Sequence, residues 1–156
     1  MSEKREPSEK YASIAAAWIR TEHFEKLKSC TIIYLESEYE KKSKGKIIFG
    51  TCERVSSKNQ WAIPADFTIT FYRPHMALLT PEQQAAVVFH ELMHVGYEGE
   101  NEPMKTIPHD IEDFKKVIDM FGSHWNEKDQ LHLPNEDLLR GILEEAEQIM
   151  ITGEGK

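Results

Sequence analysis

The chain has 156 residues, with 19 Lys and Arg against 27 Asp and Glu, and a formal net charge of −8 at neutral pH. One compact domain is expected at this length, and 40% hydrophobic with 10% aromatic residues supplies a core and excludes a disordered chain. The acidic balance argues against a broad phosphate-binding face, which is built from clustered Lys and Arg.

In chain order, residues 1–7 are polar and expected to be a flexible tail. Tyr11, Ile14, Ala15, Trp18, Ile19 and Phe24 then recur near helical spacing, predicting an amphipathic helix over residues 8–28. The segments 31–35 and 46–51 are rich in β-branched and aromatic residues and predict two strands, separated by a basic, Gly-containing turn at residues 41–45. In the next segment Phe67, Ile69 and Phe71 alternate with Asp66, Thr68 and Thr70, predicting a third strand that is wet on one face. A second helix starts at Thr80 as N-cap, with Pro81 at its first position and Gln83 completing a capping box, and runs to about Val95 before Gly96. Residues 110–121 show helical spacing up to Gly122, and a last helix runs from Asn135 to just before Gly153. The expected organisation is a single α+β domain over residues 1–156, with a core at about 8–152 and a second flexible tail at 153–156.

The two cysteines, Cys30 and Cys52, cannot form a disulfide framework and fit a reduced cytoplasmic setting. The charged first residues predict no export signal, and the longest apolar run, Ile14–Ile19, predicts no membrane anchor.

The chemistry concentrates in His90-Glu91-Leu92-Met93-His94, an HExxH pattern that a random shuffle of this composition yields about 0.04 times per chain. At about 100° per residue, His90 and His94 fall one turn apart on one face and can grip one metal ion. Ala85, Val88, Phe89 and Leu92 fall on the other side and bury the helix. Glu91, rotated by about 100° from His90, reaches a water beside that metal and can take its proton as general base.

A catalytic zinc requires a third protein ligand and one open position. The metzincin continuation is excluded, because Tyr97 stands where its Gly would be and Glu100 where its His would be. His109 is the first candidate, since imidazole suits zinc and the preceding Pro108 fixes its approach, while Glu112 and Asp113 are the carboxylate alternatives. His23, His75, His124 and His132 lack partners at ligand spacing and are expected on the surface or in loops. Tyr97, His75 and Tyr72 are candidate donors to a developing oxyanion, each with packing as the plainer role. The strand 66–72 is a candidate edge onto which an extended peptide could add.

The strand Asp66–Tyr72, the run Pro81-Glu82-Gln83-Gln84-Ala85, the HExxH segment, His109-Asp110-Ile111-Glu112-Asp113-Phe114 and Phe121-Gly122 together resemble the phage metallopeptidase domain family. That family is a small zincin-like group of phage and prophage genomes, and the resemblance covers roughly residues 10–126. It implies a minimal zincin-like fold, with an N-terminal helix, a small sheet of three or four strands, the HExxH helix and two C-terminal helices. It also implies a Zn2+-dependent peptidase with His90, His94 and His109 as ligands, Glu91 as base and a peptide or protein substrate. A phage-encoded chain would then work in the host cytoplasm. Phe121 stands where the family usually shows Tyr. The rival readings are a metal-dependent nucleic-acid hydrolase, which the acidic balance opposes, and an inactive zinc-bound phage structural protein. Neither nucleic acid nor membrane is an expected partner.

Overall fold

The computed structural model describes residues 4–56, 58–96, 105–106, 119–122, 125 and 133–153. Its main sheet has four strands in the order β1-β2-β6-β5, with β1 at Arg5–Pro7, β2 at Ile32–Ser37, β5 at Gly50–Arg54 and β6 at Phe67–Tyr72. β2 and β6 run parallel, with Ile32 opposite Phe67 and Ser37 opposite Tyr72. β1 and β5 are antiparallel edges, Gly50 facing Phe71 and Arg54 facing Phe67 across the β5–β6 ladder. Residues 5–7, expected to be a tail, therefore close one edge of the sheet.

The helix expected over 8–28 is divided. α1 spans Glu9–Ile19 behind Ser8, whose hydroxyl accepts from the Tyr11 amide at 3.1 Å, and a 3₁₀ helix spans Glu22–Ser29. Thr21 between them is extended (φ −81°, ψ 165°), and its hydroxyl donates back to the Trp18 carbonyl. That local bond competes with helix propagation.

The strand expected over 46–51 is divided as well. β3 (Lys42–Ser43) and β4 (Lys46–Ile47) form a small hairpin whose turn residues, Lys44 and Gly45, both have positive φ, the conformation that matches strand twist in a two-residue turn. β5 begins only at Gly50.

β6 alternates as expected, but neither face is wet at its C-terminal end. Phe67, Ile69 and Phe71 are fully buried on one face, and Thr70 and Tyr72 are equally buried on the other. Paired on both sides, β6 is the centre of the sheet and offers no edge to an added peptide. Threonine reads as polar in a sequence, yet its branched β-carbon packs readily on a pleated surface.

After a short helix α2 (Arg73–Met76), α3 runs Pro81–Met93 and carries the predicted capping box, Thr80 accepting from the Gln83 amide and Gln83 Oε1 accepting from the Thr80 amide. α3 is buried almost all round: residues 83–89 are all buried, so it threads the core instead of lying on it. β7 (Val95–Gly96) follows directly and pairs with β8 (Lys105–Thr106). Residues 119–121 are helical and Gly122 follows with φ +83°. The last helix, α4, spans Glu136–Thr152, as the sequence predicts, and the residues that flank it, Asn135 and Gly153, are both left-handed.

The core gathers where α1, α3 and α4 meet the Phe67–Phe71 face of the sheet. Phe89 of α3 stands edge-on to Trp18, Phe24 and Phe121 at centroid distances of 4.9, 4.9 and 5.3 Å. The Trp18 indole nitrogen also donates to the Ala85 carbonyl at 2.9 Å, fastening α1 to α3. The expected α+β class describes this architecture.

Candidate metal centre

α3 brings His90, Glu91 and His94 together, with one ligand atom from each lying within 4.8 Å of the others. The two imidazoles are one turn apart, with ring centroids 5.1 Å apart and planes at 68°. His90 and His94 are half-buried and Glu91 is 4% exposed. α3 ends at His94, whose amide bonds to the Glu91 carbonyl at 3.1 Å. A cation held by these rings would sit beside the last helical turn, where unsatisfied carbonyls concentrate negative charge.

Several contacts fix α3 and the surroundings of His90. Trp125, 3% exposed, lies 5.6 Å from the His90 ring and tilted by 34° against it. Gln83, about two turns before His90 on α3, donates to the Trp125 carbonyl at 3.0 Å and holds that residue in place. Gln84 donates to the Met76 carbonyl at 2.9 Å and ties α3 to the end of α2. On the sheet side, β5 packs against α3, and the Cys52 thiol is pushed well above its ordinary pKa by burial and by the Glu91 charge.

His109, Glu112 and Asp113, the candidates for a third ligand, lie outside the described residues, as do Tyr97, His124 and His132. His23 stacks edge-on to Phe89 at 5.8 Å. His75 departs from its expected surface position: it is 4% exposed, and its Nδ1 donates to the Ile48 carbonyl at 2.8 Å. The Tyr72 hydroxyl is 3.1 Å from Thr51 Oγ1, and Tyr72 stands on the face of β6 opposite Phe71, away from Glu91. Tyr72 is therefore not placed to meet an oxyanion over the metal site. Trp125 carries no sequence pattern that marks it as part of the site; only the fold brings it to His90.

The donor set fits a borderline divalent cation, since two neutral imidazoles with a nearby carboxylate are ligands of that class. The comparison with protein families agrees. The model of the family described as "Putative phage metallopeptidase" matches residues 3–134. The chain belongs to that family. Neither a curated protein nor a solved structure matches it. For a member of a metallopeptidase family, the His90–Glu91–His94 group is the possible metal site among the described residues. Among those residues, too, no helix is long and apolar enough to cross a membrane.

Proposed function

We propose that this chain is a zinc-dependent peptidase that hydrolyses peptide bonds in a peptide or protein substrate. The observation that carries the reading is the gathering of His90, Glu91 and His94 at the C-terminal end of α3, with Glu91 buried, in a chain of a metallopeptidase family. In this reading His90 and His94 hold the ion through neutral imidazoles, and His109 is the third ligand, with Glu112 or Asp113 as the alternatives. Bound zinc supplies Lewis acidity, which acidifies water toward a pKa of about 7 and polarises a carbonyl. Glu91 orients the attacking water, takes its proton and passes it to the departing amine nitrogen. Its burial keeps bulk water from competing for that proton. The peptide lies along β5, an edge of the sheet that packs against α3, and not along the central β6. For a phage-encoded enzyme the setting is the host cytoplasm.

The test incubates zinc-loaded protein with casein and, separately, with RNA, each with and without chelator. The reading predicts chelator-sensitive proteolysis, no RNA cleavage and no proteolysis by Glu91→Gln. RNA cleavage would assign the site to nucleic-acid hydrolysis, and inactivity on both substrates would favour a structural zinc protein.

A further inference from the structure

Gly50, the first residue of β5, has an ordinary extended backbone that any residue can adopt, so its conformation gives no reason for a glycine. Its surroundings do. A Cβ at this position would lie 3.1 Å from Glu91 Cγ, 3.2 Å from the Thr70 carbonyl oxygen and 3.3 Å from Phe71 Cδ1. The Thr70 carbonyl belongs to the central strand, held by ladders on both sides. The Phe71 ring is fully buried and packs on Tyr11 at a centroid distance of 4.5 Å. Of the three neighbours, the Glu91 side chain is the one with rotatable bonds to yield. β5 thus lies directly against the side chain that follows the first metal-ligand candidate, and it can do so because position 50 has no side chain.

We infer that Gly50 is a positioning residue for Glu91: the missing side chain lets the backbone of the edge strand form one wall of the Glu91 pocket and sets where the carboxylate lies relative to His90 and His94. Cys52, two residues on and facing the same way, continues that wall, consistent with its electrostatic contact with Glu91. The inference deepens the peptidase reading, because it rests on Glu91 carrying the proton. It also gives β5 two tasks, seating the peptide with its outer edge and the base with its inner face.

The experiment is a double-mutant cycle with Gly50→Ala and Glu91→Ala, read first by thermal unfolding of metal-free protein. Gly50→Ala should lower Tm by about 5 °C in the wild-type background and by less than half of that beside Glu91→Ala, where the nearest obstacle is gone. Should Gly50→Ala alone fail to fold, recovery of a folded double variant carries the same meaning. An equal loss in both backgrounds overturns the inference. The second readout is kinetic: zinc-loaded Gly50→Ala should keep one zinc per chain and a KM within about twofold, while kcat falls about tenfold or more, as expected for a reacting group displaced by less than 1 Å. Unchanged kcat overturns the inference as well. Gly141→Ala is the control, because a Cβ there meets nothing within 4 Å, and it should leave kcat unchanged. Intact coupling in a wild-type protein that hydrolyses no peptide would overturn the peptidase reading while upholding the placement of Glu91 by Gly50.

Discussion

Two clusters of charged and titratable side chains sit at different places on this fold, and they are built on opposite terms. Around Arg73, the guanidinium reaches three carboxylates, Glu36 at 3.1 Å, Glu38 at 2.8 Å and Glu6 at 3.0 Å, and these bonds hold its pKa above the usual range. The network ties β1, β2 and the start of α2 together at the protein surface, and it already contains its own cation. Around His90, Glu91 and His94 the groups are metal-ligand types, and Glu91 is buried. In the peptidase reading a bound divalent cation adds positive charge beside that carboxylate, which lowers the cost of burying it. The contrast separates a structural ion-pair network from a cluster suited to chemistry, although both are rich in acids and bases.

Substitutions should split the two. Glu91→Gln should lower kcat by about a thousandfold, within the range typical for removal of a general base, while Tm stays within a few degrees of the wild type; assay of casein hydrolysis beside calorimetry checks both halves. Arg73→Ala should do the reverse. Its activity should stay within about twofold, and Tm should fall by a few degrees at low ionic strength, a deficit that shrinks in 1 M NaCl because exposed pairs are screened. A salt-independent deficit would mean that Arg73 acts through packing.

Alkaline pH sharpens the comparison from the side of the sheet core. The Cys30 thiol is pushed up to about 12 by burial and by the neighbouring Asp66 carboxylate, which accepts its proton in a hydrogen bond. Burial raises Cys52, Tyr11 and Tyr34 too. Each favours its protonated form more in the folded than in the unfolded state. Their contribution is therefore complete below about pH 9, the ordinary thiol value, and is lost as pH rises toward 12. Tm should therefore hold from pH 8 to about 9 and fall from there to pH 11, and Cys30→Ala should flatten that fall.

The smallest effect is expected at Thr70, whose buried hydroxyl has no hydrogen-bond partner among the described residues. Thr70→Val keeps the shape and removes the unsatisfied group, so stability should rise by about 1 kcal/mol, seen as a Tm increase of about 3 °C.

What the sequence alone discloses follows the range of the interactions involved. The α3 cap, the spacing of His90 and His94, and the end of α4 before Gly153 all involve residues within a few positions of one another, and the structure reproduces them. The break at Thr21 depends on one hydroxyl-to-carbonyl bond that hydrophobic spacing does not register. Glu6 and Arg73 are 67 residues apart, and only the parallel pairing of β2 with β6, flanked by β1, brings them together. Gly50 likewise has no local signal, because its significance lies in the Glu91 side chain across the sheet-to-helix packing. Burial of Thr70 and Tyr72 was illegible for a different reason, since alternation identifies two faces without saying what covers each.

The central claim is that the two imidazoles one turn apart on α3 are built to hold a metal ion. Titration of metal-free protein with zinc, followed by calorimetry, tests it most directly. The account predicts one zinc per wild-type chain, with binding lost in His90→Ala and His94→Ala and retained in Arg73→Ala. Equal zinc binding by wild type and both histidine variants would contradict it.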